Sequence, residues 1–360
     1  MPARRVFLAL LLAAGAFAAD RASRVESMLA ERMRHYKVPS VSIAVIHTFA
    51  IDWARGYGMR TTPETLFQAA SISKPVTAMA ALHLVEHGRF GLEEDVNAKL
   101  IAWRVPENEF TRQKKVTVGE LLSHSAGLNV HGFGGYAAGE PVPTLVQVLD
   151  GRKPANSPPI RVDTVPGAVS RYSGGGYVVL QQLMIDVSGK PFPDLMRTIV
   201  LDRIGMRHST FEQPLPKRLW SSAAVAYRAD GQPIAGRWHT YPEMAAAGLW
   251  TTPSDLALFA IELQKSYAGK SNRVLSAAMT KQMLTQRIAH SGLGIGVEGE
   301  GANFRFSHAG GNEGYRCFLI AYASGDGAVI MTNSDAGGEL IPEILRAIAA
   351  EYNWPDYQDK

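Results

Sequence analysis

The chain has 360 residues, 46% of them hydrophobic and 19% charged, with a formal net charge of +4 and one cysteine. A chain of this size can bury a sizeable core as one large domain or two lobes, and its composition excludes a disordered polymer and a membrane-spanning bundle. No basic block interleaved with aromatics points to nucleic acid, and the lone Cys317, in an apolar run, excludes an intrachain disulfide.

Residues 1–19 read as a signal peptide. Arg4 and Arg5 precede an apolar stretch from Val6 to Ala14, and Ala16-Phe17-Ala18 supplies a small-x-small cleavage pattern. The stretch is too short for a permanent span. The mature chain is therefore expected to have no membrane span and to work in a periplasm or outside the cell. The arginine pair loosely resembles a twin-arginine signal, but the polar residues expected around such a motif are missing, which favours ordinary secretion.

Asp20 to Tyr36 reads as an amphipathic helix with Val25, Met28, Leu29 and Met33 on one stripe. Val41–Ile46 and Ile51–Tyr57 read as a strand hairpin. Ser71-Ile72-Ser73-Lys74 then opens a helix, with Pro75 tolerated in its first turn, an apolar run from Val76 to Val85 and Gly88 as the stop. With almost no polar face, this helix is expected to be buried. A helical, loop-rich block follows. Thr117 and Glu120 form a capping box, residues 129–170 make a surface excursion around a helix from Thr144 to Leu149, and helices are expected over Tyr177–Val187 and Phe192–Ile199. Beyond residue 218 strands return: Ala224–Tyr227 and Ile234–Trp238 around Asp230-Gly231, then Phe304–Ser307, Cys317–Tyr322 and Ala328–Thr332. Helices are expected from Thr252-Pro253 to about Lys265 and from Glu339 to Tyr352. Strands at both ends around a helical middle predict an α+β fold, an antiparallel sheet flanked by helices with an inserted, mostly helical lobe. The catalytic domain then spans 20–360, divided into an α/β lobe (20–75 plus 218–360) and a helical lobe (76–217).

Several stretches carry chemistry. Ser71 and Lys74 share one helix face about a turn apart, which puts a hydroxyl beside an ammonium at the positive end of the helix dipole. The bland alternative is a capping serine with a solvated lysine. Arg171-Tyr172-Ser173-Gly174 places a phenol beside small residues that permit close approach. Ser307-His308-Ala309-Gly310-Gly311, at the end of a strand, leaves an edge open to substrate and backbone N–H groups free for an oxyanion. Leu121 to Leu128, containing His124, reads as a structural turn packed near the site. His83, Glu86 and His87 formally match the zinc-peptidase pattern H-x-x-E-H. They lie at a helix end with no third-ligand motif downstream, so structural or solvated histidines are the simpler account, and no metal or other cofactor is expected.

In this order the motifs resemble those of the serine β-lactamase and penicillin-binding protein superfamily, particularly class C β-lactamases, DD-peptidases and family VIII esterases. The S-x-x-K element matches at Ser71 and Lys74, the Lys/His-x-Gly element at His308-Ala309-Gly310, and the leucine-rich block at Leu121–Leu128. The Tyr-x-Asn element matches at Tyr172 but has Gly174 where many members carry asparagine. The resemblance implies a two-lobed fold with the site in the cleft between lobes. It implies that Ser71 is acylated, that Lys74 and Tyr172 share the proton traffic, and that the N–H groups of Ser71 and Gly311, next to Gly310, bind the oxyanion. His308 is expected to orient a substrate carboxylate or assist Tyr172, and Gly174, Tyr241 and Glu243 are candidate pocket residues. The expected function is a secreted serine hydrolase of small acyl compounds, esterase- or β-lactamase-like. A D-Ala-D-Ala carboxypeptidase or a β-lactamase is the alternative, ahead of a non-catalytic cell-wall peptide sensor or a zinc peptidase. The glycine at 174 favours esters over amides. A small acyl molecule is the only partner implied, and the oligomeric state is not legible.

Overall fold

The computed structural model describes residues 21–355, so the signal-peptide reading of residues 1–19, and Asp20, lie outside the described residues. Its strands are β1 (Ser40–His47), β2 (Ala50–Gly58), β3 (Phe67–Gln68), β4 (Trp250–Thr251), β5 (Gly296–Glu298), β6 (Arg305–Asn312), β7 (Tyr315–Tyr322) and β8 (Gly327–Thr332). Its helices are α1 (residues 21–35), α2 (Ser73–Glu86), α3 (Glu109–Gln113), α4 (Val118–Leu122), α5 (Leu145–Asp150), α6 (Gly174–Ser188), α7 (Phe192–Met196), α8 (Asp202–Ile204), α9 (Met244–Ala247), α10 (Pro253–Tyr267), α11 (Ala277–Met283) and α12 (Gly337–Glu351).

Side-chain alternation along β1 sets the layering. Val41, Ile43 and Val45 join a core with Val25 and Leu29 of α1 and Ile344 and Ile348 of α12, whereas Ala44 and Ile46 join a second core with α2, α6 and α10. Both faces of β1 are thus buried, which is why its sequence is an apolar run. Six antiparallel strands form the sheet in the order β2-β1-β8-β7-β6-β5, so strands from both chain ends meet at β1 and β8. This is the α+β arrangement expected, an antiparallel sheet flanked by helices.

Local signals account for most boundaries. Thr117 and Glu120 make the reciprocal capping box of α4, and Thr252 caps α10 with Pro253 at its first position. Three readings are corrected. The segments around Asp230-Gly231 are not strands: Ala226 N–H bonds Arg237 O and Ile234 N–H bonds Ala226 O, but Pro233 brings no donor for a ladder. β6 does not stop at Ser307 but continues through the glycines to Asn312. Helix α6 starts at Gly174, three residues before Tyr177, with the Ser173 hydroxyl accepting from Gly176 N–H. β5, short and opened by a glycine, has no counterpart among the expected strands.

Two contacts bring the sheet edge to the helical side. A Cβ on Gly310 would lie 2.3 Å from Ala69 O and 2.4 Å from Cys317 Sγ, so only glycine lets β6 press this closely on the chain before Ser71. Asn312 Nδ2 then donates to Gln68 Oε1 at 2.7 Å and Ala247 O at 3.1 Å, tying β6 to β3 and α9.

Candidate active site

Ser71 sits in a 3₁₀ turn, Ala70–Ile72, that leads directly into α2. The turn is pinned. Ser73 Oγ donates to Ala70 O at 2.6 Å and accepts from Leu249 N–H at 3.0 Å, and Ala69 N–H bonds Leu249 O. Ser71 makes no helix cap, and Lys74 is only 2% exposed, so the reading as a capping serine with a solvated lysine is excluded. Lys74 Nζ lies 3.0 Å from Ser71 Oγ and donates to Ala246 O at 2.8 Å. No carboxylate pairs with it among the described residues. Burial therefore acts unopposed and lowers its pKa to about 7.

Tyr172 shares the Ser71 hydroxyl. Burial raises its pKa to about 12, partly opposed by the bond to Ser71. Lys74 Nζ stands 4.9 Å from its ring centroid, and the rings of His124, His131 and His308 lie at 4.3, 4.9 and 6.2 Å. His124 Nδ1 accepts from Ser173 N–H, which leaves its proton on Nε2. Burial, then Lys74, hold its pKa well below the usual range. His308 lies within β6, half-buried, with Nδ1 against Ala309 O at 2.6 Å; a carbonyl only accepts, so the proton is on Nδ1. Burial and Lys74 push its pKa down to about 4, so near neutrality it is an uncharged imidazole. These groups line a cleft of about 710 Å³ together with Gly310 and Gly311. Larger cavities, among them a groove of about 950 Å³ between α1 and the end of β2, contain none of them.

The β-lactamase family model matches residues 25–352. The chain belongs to this family of serine hydrolases. It is 26% identical over 356 residues to penicillin-binding protein 4 of Amycolatopsis lactamdurans, covering 92% of this chain and 90% of the relative. Among solved structures, the D-alanine carboxypeptidase AmpC of Burkholderia cenocepacia superposes with a TM-score of 0.73 at 18% identity, over 92% of this chain and 99% of that one. EstCE1, a hydrolase with promiscuous acyltransferase activity, superposes with a TM-score of 0.74 at 21% identity over the same shares.

Within this family fold, three expected pocket residues lie elsewhere. Gly174 is buried in the first turn of α6, where an added Cβ would meet His131 O at 3.0 Å and Phe133 Cε2 at 3.1 Å; residues 131–133 occupy that flank of the cleft instead. Tyr241 is fully buried, its hydroxyl donating to Gly134 O and accepting from Glu313 N–H. Glu243 is neither in the cleft nor solvated: it is 0% exposed, and neither carboxylate oxygen has a hydrogen-bond partner among the described residues. Burial raises its pKa to about 8. The zinc-like trio is committed to structure, with His83 Nδ1 on Val274 O, His87 Nδ1 on His83 O and Glu86 on Ser276. Arg316, at the start of β7, was missed. It lines the cleft beside Gly311, a placement that depends on strand register and leaves no local motif.

Proposed function

We propose that this protein is an exported hydrolase that works through an acyl-enzyme on Ser71 and prefers small esters. Ser71 Oγ attacks the carbonyl carbon while Lys74 Nζ takes its proton, directly or through the Tyr172 hydroxyl. Tyr172 then relays the proton to the departing alkoxide. Water repeats the sequence against the acyl-enzyme, releasing the acid and restoring Ser71. Backbone N–H groups of Ser71 and Gly311, on the turn and strand that meet at Gly310, are assigned to the oxyanion. His308, neutral and tilted beside the Tyr172 ring, assists by packing and hydrogen bonding rather than by charge. The single observation that carries this reading is the buried Lys74 amine, 3.0 Å from Ser71 Oγ and without a carboxylate partner among the described residues. It can serve as a base near neutrality, where an ordinary lysine cannot.

The ester preference rests on the absence of a side-chain amide at position 174, since Gly174 is buried in the first turn of α6 and residues 131–133 fill that flank of the cleft, and on the easier departure of an alkoxide. Export rests on the charged, apolar and small-residue pattern of residues 1–19. Intact-mass analysis after exposure to an activated ester, a penicillin and a D-Ala-D-Ala peptide tests the assignment. A transient acyl adduct on Ser71, discharged fastest after the ester, is expected. Ser71→Ala should stay folded, resist fluorophosphonate labelling and lose about 10³-fold or more in kcat. Labelling at another serine with activity retained would overturn the assignment. A stable adduct that never discharges would identify a sensor, and faster turnover of penicillin or peptide would move the substrate class to those compounds.

A further inference from the structure

The ionisable groups of the cleft are basic apart from the Tyr172 phenol, which burial holds neutral. Lys74, Arg316 and the histidines 124, 131 and 308 line it, and no aspartate or glutamate does among the described residues. Acids that adjoin it are engaged or sealed away. Asp335 pairs with Arg316 at 3.0 Å and accepts from Gly314 N–H at 2.9 Å, Glu313 pairs with Arg228, and Glu243 is buried at the start of α9. Arg316 makes all its polar contacts through Nη1, to Asn312 O at 2.7 Å, Tyr315 O at 2.8 Å and Asp335. Its Nε and Nη2 donors are unused among the described residues, and the side chain remains 34% exposed beside Gly311.

We infer that the cleft selects acyl substrates by charge, taking neutral compounds and those with a carboxylate near the scissile bond, and turning away acyl groups that bear a free ammonium. This inference rests on the acyl-enzyme reading above and names its substrate class. An ammonium entering the cleft loses hydration, finds no carboxylate to replace it and meets the Arg316 guanidinium. A carboxylate in the same place gains charge-assisted bonds from the free Arg316 donors. Selection therefore comes from a repulsive element as much as from an attractive one.

The test compares ethyl esters of D-alanine, N-acetyl-D-alanine and N-succinyl-D-alanine, with their L-forms, by kcat/KM at pH 6.5 and pH 9. Ratios between esters at one pH cancel the titration of Lys74. At pH 6.5 the N-acetyl ester should exceed the free-amine ester by about 10–100-fold. The gap should shrink to a few-fold at pH 9, because an α-amine loses its proton near pH 8. The N-succinyl ester should match or exceed the N-acetyl ester. Arg316→Gln should lower the ratio of the succinyl rate to the acetyl rate about 10-fold, whatever change the two rates share. Equal use of the amino and acetyl esters at pH 6.5 would overturn the inference, as would a gap that ignores pH. A succinyl-to-acetyl ratio unchanged in Arg316→Gln would overturn its carboxylate half. Absence of turnover and of Ser71 acylation with every ester would instead overturn the hydrolase reading itself.

Discussion

Lys74 and Tyr172 flank the same hydroxyl, yet burial moves them in opposite directions, because the charged form is the protonated one for an amine and the deprotonated one for a phenol. Both are thereby held toward neutrality, and Lys74, with its pKa near 7, is the better proton acceptor. The rate should follow the free amine: kcat/KM for a neutral ester rises about tenfold per pH unit below 7 and levels above it. Lys74→Arg, which stays protonated, should cost about 10²-fold or more in kcat. A flat profile between pH 5.5 and 8 would remove Lys74 from the role of base. Tyr172→Phe should lower kcat by about 10²–10⁴-fold with little change in ground-state binding, as pre-steady-state acylation would show. Glu243 makes the opposite kind of prediction, about stability. Its carboxyl titrates near 4.5 when unfolded but at about 8 when folded. The folded protein then binds the extra proton between those values, so stability falls as pH rises from about 4.5 and levels above about 8, by roughly 1.4 kcal/mol per pH unit in between. Glu243→Gln keeps the neutral form at every pH. Urea unfolding at pH 5 and pH 8 should show a smaller pH loss for this variant than for the natural protein, and equal losses would mean that the carboxyl finds a partner on ionising.

Strand β6 and the turn before α2 work as one element because Gly310 lets their backbones touch. Gly310→Ala places a methyl 2.3 Å from Ala69 O, so strand and turn must part. The expected cost is about 1–3 kcal/mol in stability, with a larger loss in kcat than in KM, since the parting moves Ser71 against Gly311. Unchanged kcat in a folded Gly310→Ala protein would show that the contact does not position the site. At the start of α6 local propensity and tertiary packing disagree. Gly174, Gly175 and Gly176 have poor helix propensity, and a sequence reading places the helix after them. In the fold they are the first turn itself, because Gly174 and Gly175 pack against residues 129–133, where side chains would collide.

At the scale of the whole molecule, the sheet separates two cores with different duties. α1 and α12 cover the face away from the cleft, whereas α2, α6 and α10 pack on the face that carries it. Ile344, fully buried on the inner face of α12, belongs to the first of these. Ile344→Ala should lower stability by about 2–5 kcal/mol and leave kcat/KM per folded molecule unchanged, which denaturant unfolding and active-site titration would separate. A matching loss of kcat/KM would mean that the sheet transmits strain from one core to the other.

What the sequence determined by itself was local or periodic. The one-turn spacing of Ser71 and Lys74, the caps at Thr117 and Thr252, the apolar run of β1 and the stripe of α12 each depend on residues within a few positions of one another, so pattern reading reached them. The family motifs added Tyr172 and His308, which no local rule joins to Ser71. Tertiary structure alone decided what surrounds these groups. It set the lack of a carboxylate partner for Lys74 among the described residues, the packing of three histidines around Tyr172, the sealing of Glu243 away from both cleft and solvent, and the arrival of Arg316 beside Gly311. Each depends on contacts between segments far apart in the chain, and burial and strand register, not spacing in sequence, determine them.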